Sequence, residues 1–213
     1  FANENNKTFG SNNTTETGTN NTLVMGESNT VRGFSRNNII VGTSNVIANG
    51  VNNAAVLGTY GIAEREGEVV FGGGGFSGAG IGNSQSSTIS LSGTTTNGTA
   101  TNLFVNGNSA TTIIARSSTS SFQGFEATVL GVRTGGSAAS GNVNDRICLR
   151  VTGIVYLKAV NQSSTDLGKF GTTGGWASEM AFSGTNDMLF QVTGAADMNI
   201  SWSVTLNLYE IKI

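Results

Sequence analysis

Short apolar runs recur along the first third of the chain at a fixed interval, each closed by a glycine. Asn20–Gly26 reads NNTLVMG, Arg36–Gly42 reads RNNIIVG and Asn52–Gly58 reads NNAAVLG, with the closing glycines 16 residues apart. A fourth copy, Glu66–Gly72 (EGEVVFG), follows after 14 residues, and Gly10 marks a degenerate earlier unit. A second, shorter element lies between these runs. Gly26–Val31 reads GESNTV and Gly42–Ile47 reads GTSNVI, so Asn29 matches Asn45 and Val31 matches Ile47. A period of this length is too short for a helical repeat and fits one rung of a parallel β-roll or β-helix. Asn and Gly at the corners supply the left-handed backbone that sharp turns require. Consecutive apolar residues on a strand point to both of its faces. The rung interior covers one face, and a neighbouring copy of the chain is expected to cover the other.

The alternation of Asn-x-apolar-apolar-apolar-Gly with Gly-x-Ser-Asn-x-Val resembles the head repeats of trimeric autotransporter adhesins, and similar repeats occur in phage tail fibres and tailspikes. The resemblance covers residues 10–72. It implies a left-handed parallel β-roll, with three rolls packed about an axis as a homotrimer. It also implies a place on a virion fibre or spike, upstream fibre or other tail proteins as partners, and a host cell-surface glycan or protein as receptor.

Beyond the repeats, Gly72–Ser87 (GGGGFSGAGIGNSQSS) reads as a linker. Gly73, Gly75 and Gly78 spell G-x-G-x-x-G, but no amphipathic helix or Lys-Ser/Thr pair follows, so nucleotide binding has no support. The rest alternates as strands: Thr88–Ser92, Thr101–Val105, Thr111–Ala115, Phe122–Arg133, Arg146–Val160, Trp176–Phe182, Met188–Thr193 and Ile200–Ile213. Asn97-Gly98 and Asn106-Gly107 are hairpin signals. In the last strand Ile200, Trp202, Val204, Leu206 and Leu208 alternate with polar residues, and the shift of phase to Ile211 predicts a bulge near Tyr209-Glu210. The expected fold is all-β: repeat shaft over 1–72, linker over 73–87, and an antiparallel, jelly-roll-like β-sandwich head over 88–213.

Composition narrows the function. Charged residues make up 11% of the 213 residues, glycine numbers 31, and proline and histidine are absent. The net charge is −2, with four basic and six acidic residues in 1–80 and seven of each in 81–213. No basic stripe offers a footprint for nucleic acid, and no apolar run is long enough to insert in a membrane as a helix. Phe1 in place of an initiator Met suggests a fragment or a trimmed or partly ordered chain.

Without histidine, a Ser-His-Asp triad, a Cys-His dyad and a His-based zinc site are excluded. The chain also lacks a D-x-D-x-D-G calcium loop. Cys148, the single cysteine, reads as a small strand residue. A polysaccharide-cleaving site needs two carboxylates about 5–10 Å apart. Glu126, Asp145, Asp166, Glu179, Asp187, Asp197 and Glu210 stand singly, and Glu64, Glu66 and Glu68 with Arg65 read as an exposed rung corner. The expectation is therefore a non-catalytic protein with no cofactor and no metal. Two long loops are the places for receptor contact, Thr134–Asp145 and Asn161–Gly175, the second running into Trp176. Asn161, Asp166, Lys169 and Trp176 are the candidate contact residues, since an aromatic ring beside polar side chains suits sugar stacking. Trp176 also reads as core. The readings in competition are a receptor-binding viral fibre head, a purely architectural trimer cap or decoration, a bacterial trimeric adhesin head, and a glycan-degrading tailspike.

Overall fold

The repeat is realised as a parallel β-solenoid of about four turns. The chain's computed structural model describes residues 3–212 apart from 76–79, 106, 108–112, 115–120, 158 and 184–186. Gly78 of the glycine motif, Asn106 of the second hairpin signal, and Thr111, Thr112 and Ala115 of a predicted strand lie outside the described residues. The strands of the solenoid are β1 (Lys7–Ser11), β2 (Thr14–Thr15), β3 (Leu23–Glu27), β4 (Thr30–Val31), β5 (Ile39–Thr43), β6 (Val46–Ile47), β7 (Ala55–Thr59), β8 (Ile62–Ala63) and β9 (Val69–Gly73).

The five-residue strands stack in parallel register with Gly10, Gly26, Gly42, Gly58 and Gly72 in one column. The two-residue strands form a second parallel sheet, β2-β4-β6-β8. Both columns follow the alignment read from the sequence. Val24, Ile40, Val56 and Val70 from the long strands meet Val31, Ile47 and Ala63 from the short ones in a buried interior.

Asparagine does the work of the corners. Asn5, Asn21, Asn37 and Asn53 hold φ between 54° and 57°; the first three side-chain amides each donate to the next Asn oxygen at 3.2 Å, and that of Asn53 donates to Glu66 Oε1 at 3.4 Å. A second column is buried. The Asn29 amide donates to the Gly42 carbonyl at 2.7 Å and that of Asn45 to Gly58 at 2.8 Å. Their oxygens accept the Asn45 and Gly61 backbone N–H groups. The buried ladder satisfies backbone groups that a turn would otherwise strand in the interior. Gly42, at φ 136°, has no room for a side chain because a Cβ would fall on the Gly58 carbonyl.

The remaining strands are β10 (Ser84–Thr95), β11 (Ala100–Val105), β12 (Ile113–Ile114), β13 (Ser121–Gly135), β14 (Arg146–Tyr156), β15 (Ala159–Phe170), β16 (Ala177–Ser183), β17 (Asp187–Thr193) and β18 (Asn199–Lys212). The chain divides into two compact units that do not follow sequence order. One holds Phe1–Ile89, Ser118–Gln123 and Leu208–Ile213; the other holds Ser90–Ser117 and Gly124–Asn207. Ser84–Ser87, read as the end of a linker, opens β10, whose Gln85–Thr88 pairs antiparallel with β9. The parallel pairing of the long solenoid strands therefore gives way to antiparallel pairing at β10.

In the second unit β11, β12 and β16 all pair antiparallel with β17, and β14 pairs antiparallel with β15. Asn97 sits in the β10–β11 connection, where its oxygen accepts the Thr99 N–H at 2.9 Å. The core gathers Leu103, Phe125, Val129, Val151, Phe190 and Trp202, among others. Gly131 is required here, since a Cβ would lie 2.6 Å from the Trp202 ring.

Three expectations fail in this half of the chain. Arg146–Val160, expected as one strand, is divided between β14, which ends at Tyr156, and β15, which begins at Ala159 and pairs back on it. Asn161–Phe170 was expected as a loop and is most of β15. The predicted phase flip at the end of β18 does not occur: alternation continues, with Glu210 buried and Tyr209 and Ile211 exposed. An inward acid gave the appearance of a broken pattern.

Candidate functional site

The outward face of the solenoid's long strands is apolar. Inward Val24, Ile40, Val56 and Val70 alternate with two outward columns. One runs Leu23, Ile39, Ala55, Val69, and the other Phe9, Met25, Val41, Leu57, Phe71, the residues being register partners on successive strands. Phe9 is 56% exposed and Phe71 51%, with Met25, Ile39 and Val41 also exposed. A contiguous exposed apolar strip of this kind is uncommon on the surface of a monomeric protein.

The predicted contact residues are only partly brought together. Asn161, Asp166 and Lys169 all lie exposed on β15, which terminates its sheet. Lys169 Nζ lies 3.1 Å from Asp166 Oδ2, and Asp166 accepts the Gly168 N–H at 3.0 Å. Leu167 is the extra residue of a bulge, since Cys148 pairs with Gly168 and Leu149 with Asp166. Phe170, 70% exposed, carries the Arg146 guanidinium 5.3 Å from its ring centre. Trp176 does not join this group. It is 6% exposed and meets Trp202 edge-on at 5.7 Å between ring centres, so its core reading holds in place of the stacking platform.

The predicted loop 134–145 wraps a buried arginine. Arg133 donates from Nε to the Gly135 carbonyl (3.0 Å), from Nη1 to Ser140 (2.8 Å) and from Nη2 to Ala138 (3.2 Å). Asp145 Oδ2 accepts N–H groups from Asn142 at 2.8 Å and Thr172 at 3.0 Å. One carboxylate thereby ties the loop to the segment after β15.

The acidic corner is not exposed as expected. Arg65, Glu68 and Glu210 are 3%, 0% and 3% exposed. Arg65 pairs with Glu68 at 2.5 Å and with Glu210 at 2.7 Å. Gln85 and Gln123 each donate to Glu210 at 2.8 Å. The Gln85 amide also exchanges two hydrogen bonds with the Ile62 backbone, at 2.9 and 3.1 Å, standing in for the next short strand. Burial opposes the guanidinium's charge, but Glu68 and Glu210 outweigh it and leave the Arg65 pKa above its ordinary value. The cluster sits where the solenoid period drops from 16 to 14 residues. That shortening is the sequence signal that could have located it.

These carboxylates are committed to structure. Glu68 also accepts the Glu64 and Arg65 backbone N–H groups, at 2.9 and 3.1 Å. Among the described residues no group of three or more His, Cys, Asp or Glu side chains is placed to hold a metal, and no helix is long and apolar enough to cross a membrane. Cys148 is a half-buried free thiol on β14.

No protein-family model matches the chain, and no curated protein matches it. The similar solved structures include two tailspike proteins. The tailspike protein of Acinetobacter phage vB_ApiP_P1 is 10% identical with a TM-score of 0.34, over 92% of this chain and 47% of that one. The tailspike protein of Acinetobacter baumannii phage AM24 is 10% identical with a TM-score of 0.32, over 85% of this chain and 33% of that one. The chain thus spans about half of the first protein and a third of the second.

Proposed function

We propose that the chain is a non-catalytic attachment segment of a viral tail fibre or tailspike, assembled as a parallel, in-register homotrimer on the outside of the virion. The observation that carries this reading is the exposed apolar strip of the solenoid, two columns wide and repeated on successive strands. Three copies around an axis would bury it, and at roughly 25 cal/mol per Å² that burial would help offset the ordering entropy of a thin solenoid. The resemblance of the repeats to trimeric adhesin heads and phage fibres supports the same arrangement. In this reading the antiparallel unit is a sandwich head that meets the host receptor, and upstream fibre or tail proteins hold the shaft.

Binding of purified chain to host cells, with competition against virion adsorption, tests the attachment role. Adsorption should fall as the chain saturates the cells. A folded trimer that neither binds nor competes would leave only an architectural role. Release of reducing ends from host capsule would overturn the non-catalytic reading.

A further inference from the structure

The second unit carries an open groove of about 530 Å³, within the size range of small-ligand sites. Ser92 and Thr94 of β10, Thr101, Asn102 and Phe104 of β11, and Ser201 of β18 line it. Ser92 and Phe104 are direct cross-strand partners, which sets a hydroxyl beside the aromatic ring. Gln191 donates to the Asn102 oxygen at 2.8 Å. That bond fixes the amide's orientation and leaves its NH₂ as the donor end. Trp202 is anchored beneath by its indole N–H, which donates to Thr95 Oγ1 at 2.9 Å. Among the described residues the lining holds four hydroxyls, one oriented amide and two rings, Phe104 and Trp202, and no charged side chain.

We infer that this groove binds an uncharged saccharide and is the receptor contact of the head, in place of the β15 edge. The inference rests on the attachment role proposed above. Hydroxyls and an amide exchange hydrogen bonds with sugar hydroxyls, and the Phe104 ring offers an apolar face to a pyranose. A uronate or sialate would have to set its carboxylate against described lining residues that include no cation, so charged glycans are disfavoured. β15, by contrast, presents an ion pair and an arginine-covered Phe170.

The test uses the assembled full chain and two probe sets. Neutral oligosaccharides (glucan, mannan, galactan and N-acetylglucosamine oligomers) are compared with oligogalacturonate and polysialate by saturation-transfer NMR, and host-cell binding is measured in parallel. At least one neutral probe should bind. Asn102→Asp, which keeps the oxygen held by Gln191 but removes the donor, should weaken probe and cell binding at least tenfold. Phe104→Ala should do the same; Asn102→Asp should keep the wild-type melting temperature, and Phe104→Ala, which loses a half-buried ring, should melt lower but stay folded at the assay temperature. Asp166→Ala should bind as wild type. Cell binding that survives both groove variants, that follows the charged probes only, or that protease rather than periodate treatment of the cells removes would overturn the groove while leaving attachment intact. Absence of any cell binding by the wild-type chain would instead refute the attachment role, and the groove assignment with it.

Discussion

The solenoid and the antiparallel unit hold their backbones in different ways. In the solenoid one solution is repeated: Asn29 and Asn45 make the same bonds one turn apart, and Gly26 and Gly42 meet the next carbonyl in the same way. In the antiparallel unit each polar anchor occurs once, as with Arg133 inside its loop or Asp145 beneath Thr172. A repeat spreads stability over similar nearest-neighbour contacts, whereas a unique anchor concentrates it. The Arg65 cluster is the exception, a unique anchor at the end of a repeat.

That exception gives the largest expected effect. Arg65→Ala leaves Glu68 and Glu210 buried without their cation and should cost about 3–5 kcal/mol, read as a lowered midpoint in thermal or denaturant unfolding. A change below about 1 kcal/mol would mean that the carboxylates find water and that the end of the solenoid is loose. Trp176→Ala should cost a similar amount, about 3–5 kcal/mol, because a buried ring against Trp202 is lost. A preserved midpoint would return Trp176 to the surface role that its sequence neighbours suggested.

Asn45→Ala removes the partners of the Gly58 carbonyl and the Gly61 N–H and should cost about 1–3 kcal/mol. Both tryptophans, Trp176 and Trp202, lie in the antiparallel unit. The far-UV transition should therefore move more than the tryptophan-fluorescence transition. Equal movement would show that the two regions unfold as one. The smallest effect belongs to Asp166→Ala, which breaks an exposed ion pair and should stay within about 0.5 kcal/mol.

The same contrast explains what was legible in the sequence. The solenoid register could be read residue by residue because each turn repeats the constraint that Gly42 or Asn45 satisfies, so four weak signals add. β15 was not legible. From Ser163 to Phe170 both of its faces are exposed, so no apolar alternation marks it, and its Ser, Thr, Asp and Gly read as loop. The Arg65 cluster was hidden for another reason. Glu210 lies 145 residues from Arg65, and local pattern reading assigns isolated acids to solvent. Trp176 was ambiguous because its own segment is polar, and its burial depends on Trp202 from a distant strand.

In the proposed trimer the apolar strip is an interface among three copies of this chain. Multi-angle light scattering of the purified chain at micromolar concentration tests it most directly. A single species at three times the 21.8 kDa chain mass is expected, and it should be lost on Val41→Asp, which places a charge in the middle of the strip. A folded wild-type chain at the mass of one copy would contradict it.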